Sequence, residues 1–189
     1  MPNYLLIDID LCLSLHSITQ PFSLSTGCII TYLTKLLGDH GINCIGFSTD
    51  INPHANLCTQ QTANQNSIGN IEVVRCDFAA PLQENLRGKV DVLLFNPPYV
   101  PTPNHEVGGT NIAASWAGGE DGRLVIDRFL PTISILLSKS GVCYMVLVQD
   151  NKPKDLCKIL KNRYRLSMSV IKRHKARNEQ LMIAKIVNI

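Results

Sequence analysis

The sequence predicts an α/β domain built on a mostly parallel sheet. Three observations carry that expectation. Short segments rich in Val, Ile and Leu alternate with helix-like segments along the 189 residues, as strands crossed over by helices do. The segment 90–95 is almost continuously apolar, which suits a strand buried on both faces. The last two strand-like segments lie close together across Arg173 to Asn178. That spacing predicts a hairpin closing the sheet with an antiparallel strand.

Taken in chain order, strands are predicted at 42–48, 71–76, 90–95, 142–148, about 165–172 and about 180–187. A helix over 28–37 has apolar positions at helical spacing, and Gly38 can end it. A second helix, 53–66, starts with Pro53 behind Asn52, an N1 proline after an asparagine cap. A third, 122–138, puts Leu124, Val125, Phe129, Ile133 and Leu136 largely on one stripe. A short Lys-rich helix at 153–162 opens on Pro153. Between strand and helix, residues 96–121 contain Pro97, Pro98, Pro101 and Pro103 and end near Gly118-Gly119. A connection that long inside a compact domain usually serves function.

Composition narrows the class. A length of 189 residues suits one domain, 1–189. Hydrophobic residues at 45% and charged residues at 17% argue against disorder. The net charge of +3 is too small to imply a nucleic-acid partner by itself, which leaves one possible but weakly supported. No apolar run approaches a membrane span, and Asp8 and Asp10 interrupt the apolar stretch 4–15. Neither membrane insertion nor a signal peptide is expected. The 7 cysteines show no CxxC or CxxH spacing. That fits reduced thiols in a cytoplasmic, or also nuclear, protein rather than disulfides or structural zinc.

The chemistry concentrates where the predicted strand 90–95 runs into Asn96-Pro97-Pro98-Tyr99. In open α/β sheets the ligand site lies beyond the carboxyl ends of the strands. An asparagine amide there offers an acceptor and two donors. Two prolines fix the backbone behind it, and the tyrosine ring can cover a planar group. Asp50, followed by Ile51, ends the strand 42–48; a carboxylate there can bind two vicinal ribose hydroxyls. Asp77 and Phe78 follow the strand 71–76. Taken singly, both acids could equally be turn or cap residues.

The stretch Asn96–Tyr99 resembles the (Asn/Asp/Ser)-Pro-Pro-(Tyr/Phe) motif of amino-methyltransferases that use S-adenosylmethionine. The likeness extends through Val100-Pro101-Thr102-Pro103, Glu106-Val107-Gly108, Ala114–Gly119 and Asp121-Gly122-Arg123. Over roughly residues 27–187 the chain is similar to the eukaryotic and archaeal branch of the HemK family of glutamine methyltransferases. The resemblance implies a Rossmann-like class I methyltransferase with a seven-stranded sheet whose last strand is antiparallel. It implies Asn96, Pro97, Pro98 and Tyr99 as the catalytic motif. It places S-adenosylmethionine against Gly27, Asp50, Ile51, Asp77, Phe78 and Asn96, with Asp50 on the ribose and Asp77 on the adenine.

It further implies a substrate, the Gly-Gly-Gln loop of a class I peptide-chain release factor. The implied partner is a small zinc-binding activator that forms a heterodimer, with the edge strand 71–76 as its docking place. Lysine of a histone tail and adenine of DNA are alternative acceptors in such families. Residues 1–24 are atypical. The family's central strand ends in an acid followed by Gly-x-Gly-x-Gly, whereas Pro21–Gly27 aligned there keeps only Gly27. Only Tyr4–Asp8 resembles the end of the family's N-terminal segment. A non-enzymatic chain that binds the activator is the reading this altered loop favours. The five histidines are unclustered, and the basic run Lys172–Arg177 is expected as a solvated turn, with RNA or an acidic partner the functional alternative.

Overall fold

A computed structural model describes residues 4–10, 27–108, 115–176 and 179–189. Seven strands form one sheet: β1 (Tyr4–Asp10), β2 (Cys44–Asp50), β3 (Ile71–Arg75), β4 (Val90–Asn96), β5 (Leu137–Leu147), β6 (Leu166–Ala176) and β7 (Glu179–Asn188). The helices are α1 (Cys28–Asp39), α2 (Pro53–Gln65), α3 (Gln83–Leu86), α4 (Leu124–Leu136) and α5 (Pro153–Tyr164). The strand order is β3-β2-β1-β4-β5-β7-β6. The pairs from β3 to β5 are parallel, and β7 runs antiparallel between β5 and β6.

Local chemistry explains the elements that the sequence foretold. The Asn52 side chain accepts from the His54 N–H at 2.9 Å, and Pro53 opens α2 behind it. The α4 stripe is buried at Val125, Ile126, Phe129, Leu130, Ile133 and Leu136. It presses Phe129 against Phe95 of β4, ring centroids 3.9 Å apart. Leu124, expected on that stripe, is 37% exposed because it sits at the helix start.

Three expectations are corrected. The apolar stretch around Tyr4–Asp8 supplies the central strand β1, with Leu6, Ile7 and Ile9 almost fully buried between β2 and β4. The central ladder is thus filled from 4–10, while Pro21 lies outside the described residues. Next, α4 ends at Leu136 and β5 begins at Leu137, which pairs with Val90, so the strand starts five residues before the predicted 142. Lastly, Lys172, Arg173, His174 and Lys175 lie within β6, paired with Ile183, Met182, Leu181 and Gln180; Arg177 of that run is outside the described residues. The run lines a sheet edge, where lysines discourage further strand pairing. Among the described residues no helix is long and apolar enough to cross a membrane.

Candidate active site

The register brings the polar strand ends together. Asp10 pairs with Asn96 across β1 and β4. Ile9 pairs with Thr49 across β1 and β2, with Asp50 next in line opposite Arg75 of β3. The carboxyl ends of four adjacent strands therefore carry Arg75, Asp50, Asp10 and Asn96. The acid absent at Pro21 has a counterpart by position in Asp10, the last residue of β1.

Asp50 is only 4% exposed. Its carboxylate accepts from the Asn52 N–H at 2.7 Å, and its carbonyl accepts from the Asn56 side chain at 3.0 Å. Ile51 beside it is 53% exposed, and its carbonyl accepts from Arg75. Such an exposed apolar side chain next to a held carboxylate suits a planar base beside a diol. Asp77 follows β3 and pairs with Arg128 of α4 at 2.6 Å, both groups being about half exposed. Burial pushes the Cys76 thiol up, and the carboxylates of Asp77 and Asp50 push it further.

Phe78 occupies the left-handed region at φ 51°. Its ring is buried against Phe95 and Phe129, with Arg128 over it at 5.1 Å. The ring is a core group, so only its backbone is left to meet a ligand. Gly27 caps α1 at φ 62°, and a Cβ there would come within 2.8 Å of the Thr59 backbone. Close packing of α1 on α2 already demands this glycine.

Asn96 ends β4, and its Oδ1 is buried with no hydrogen-bond partner among the described residues. Pro97, Pro98 and Tyr99 behind it are buried. Burial, and after it the Glu179 carboxylate, pushes the Tyr99 phenol up. A cleft of about 290 Å³ opens beside this turn, lined by Tyr99, Val100 and Pro101 with Asp150 and Glu179.

The long connection is laced to the motif. The Val100 N–H donates to Trp116 O, and the Gly118 N–H to Val100 O at 2.8 Å. Cβ atoms at Gly118 and Gly122 would lie 2.5 Å from Pro98 O and 2.0 Å from Tyr99 O. Asn151, which belongs to no sequence motif, donates to Tyr99 O at 2.8 Å. Its only sequence signal is its place before Lys152-Pro153 at a helix start.

This strand order, with acids at the ends of β2 and β3 and a buried acceptor at the end of β4, defines a class I S-adenosylmethionine-dependent methyltransferase fold. No protein-family profile matches the chain. It is 39% identical over 158 residues to Methyltransferase HEMK2 of Mus musculus and of Homo sapiens, covering 84% of this chain and 69% of each relative. The eRF1 methyltransferase catalytic subunit mtq2 of Schizosaccharomyces pombe is 34% identical over 181 residues, 91% of this chain and 76% of that one. Among solved structures, the E. cuniculi Mtq2-Trm112 complex responsible for methylation of the translation termination factor eRF1 is similar over 100% of this chain and 87% of that chain. The TM-score is 0.64 and the identity 26%. The chain belongs to the release-factor branch of the HemK methyltransferase family.

Proposed function

We propose that this methyltransferase transfers a methyl group from S-adenosylmethionine to the side-chain amide of a glutamine, in the Gly-Gly-Gln loop of a class I release factor. The observation that carries the reading is the buried Oδ1 of Asn96, an acceptor without a partner among the described residues at the end of β4. An unmet buried acceptor costs roughly 1–3 kcal/mol. An incoming amide N–H would remove that cost.

The residues present fit the cofactor. Asp50 would hold the ribose hydroxyls, Ile51 and the backbone of Phe78 would flank the adenine, and Asp77 would accept from its amino group. Bound there, the cofactor would supply an electrophilic methyl group. The protein's part is positioning. Asn96 Oδ1 accepts one amide N–H and the Pro97 carbonyl the other. Those two bonds localise the nitrogen lone pair, and its fixed direction lowers the barrier by positioning. The methylated nitrogen, strongly acidic, would then give its surplus proton to water, so no dedicated general base is needed. Tyr99, held by burial, packs against the substrate side chain in the cleft beside Val100 and Pro101.

The sheet's two edges differ, which supports a heterodimer through β3. Edge β6 carries Lys172, Arg173, His174 and Lys175. Edge β3 presents half-buried Ile71, Val73 and Val74, apolar side chains that a small zinc-binding activator adding a strand would cover.

The test is methyl transfer to a release factor by the full chain co-expressed with the activator. Asn96→Ala should abolish transfer but keep most S-adenosylhomocysteine binding in calorimetry, because Asp50 and Asp77 would still hold the nucleoside. Full transfer by Asn96→Ala would sink the reading.

A further inference from the structure

We propose that Asn151 is a positioning residue of the methyl-transfer site, holding the Asn96–Tyr99 turn in its working shape. The inference rests on the assignment of that turn as the acceptor site. Asn151 is fully buried. Its Nδ2 donates to Tyr99 O at 2.8 Å, Asp121 O at 3.0 Å and Gly122 O at 3.3 Å. Its Oδ1 accepts from the Val148 N–H at 2.8 Å. One side chain thus ties three segments together: the motif, the turn 119–122 and the end of β5.

The turn it grips is built for that contact. Gly122 has φ 65°, and a Cβ there would lie 2.6 Å from Asn151 Nδ2. Asp121 and Lys152 are both non-glycine residues in the left-handed region, at φ 55° and 51°. Their side chains form an ion pair. Left-handed backbone at such residues persists only where the surroundings impose it, and it clusters at functional sites. Lys152 and Asn151 hold the same turn side by side, one through Asp121's carboxylate and one through its carbonyl. Across the turn, Tyr99 O is three residues from Asn96. A shift of this carbonyl moves the acceptor.

The test uses the full chain with its activator and compares Asn151→Asp and Asn151→Ser with Leu160→Ala. Asn151→Asp keeps the acceptor for Val148 but sets a carboxylate oxygen against three carbonyls. Leu160 is a fully buried residue of α5 outside the site, and its truncation lowers stability alone. Asn151→Asp should lower kcat roughly 10²-fold, as misplacement of a reacting group does, with S-adenosylhomocysteine affinity unchanged. Trp116, the sole tryptophan, lies in the laced connection, so its emission should shift to the red. Asn151→Ser should show the same in smaller measure. Leu160→Ala should lose thermal stability but keep kcat and emission.

Wild-type kcat and emission in Asn151→Asp would overturn the proposal, as would losses no larger than those of Leu160→Ala. The emission reads the turn whether or not transfer is measurable. If Asn96→Ala keeps full transfer, the acceptor-site reading itself fails. If Asn96→Ala is inactive and the Asn151 variants are active, only the role of Asn151 fails.

Discussion

Replacing Gly122 by alanine adds one methyl group at the most crowded point of the site. Its Cβ would lie 2.0 Å from the Tyr99 carbonyl oxygen and 2.7 Å from the Tyr99 carbonyl carbon. Both are backbone atoms, so no side chain can swing aside, and the turn must retreat by an ångström or more. The residue would also keep φ near +65°, which costs an alanine about 1–2 kcal/mol. Retreat breaks the Asn151 contacts to Tyr99 O and Gly122 O, each worth about 1–3 kcal/mol when its groups stay buried and unmet. The loss is at least about 3 kcal/mol, which lowers Tm by roughly 6–12 °C in a chain of this size. Gly108→Ala is the control. Its φ is +80°, but a Cβ there would meet nothing within 4 Å, so only the left-handed cost of about 1–2 kcal/mol remains. Differential scanning calorimetry and methyl transfer should be run on both. Gly122→Ala should unfold well below Gly108→Ala and lose transfer roughly 10²-fold. Equal melting points for the two variants would refute the steric reasoning.

Other outcomes follow from the same structure. Asp77→Ala should change stability by less than about 1 kcal/mol, because its pair with Arg128 is about half exposed, yet weaken S-adenosylhomocysteine binding in calorimetry. Val73→Pro should fold but fail to co-purify with the activator. Asn70 O and Cys76 N bond to β2, so alternation turns the Val73 N–H outward, where a proline blocks only an added strand. For Tyr99, the folded state holds the phenol protonated above its ordinary pKa of about 10. Its stabilising share is complete below that pH and is lost as pH rises through the raised value. Tyr99→Phe should flatten the alkaline limb of a urea-denaturation pH series. Gly38→Ala should stabilise by roughly 0.5–1 kcal/mol, because Gly38 lies within α1 with open space around it.

The alternation of β2 through β7 with α1, α2, α4 and α5 is legible along the chain, since hydrophobic period and caps such as Asn52-Pro53 are local properties. The sequence also places Asp50, Asp77 and Asn96 just past three strands, because strand ends follow from where apolar runs stop. Features that depend on neighbours distant in the chain emerge only from the folded arrangement. Tyr4–Asp10 contains two aspartates and does not read as a buried strand; β2 and β4 on either side make it one. The sequence puts Phe78 just past a strand, and only the fold shows that its ring packs on Phe95 and Phe129. The basic run near the last hairpin lies on a sheet edge because β6 pairs with β7 as far as Ala176. Asn151 meets Tyr99 from 52 positions away. No local pattern encodes such a contact, because a hydrogen bond across that distance exists only once the sheet has brought the ends of β4 and β5 side by side.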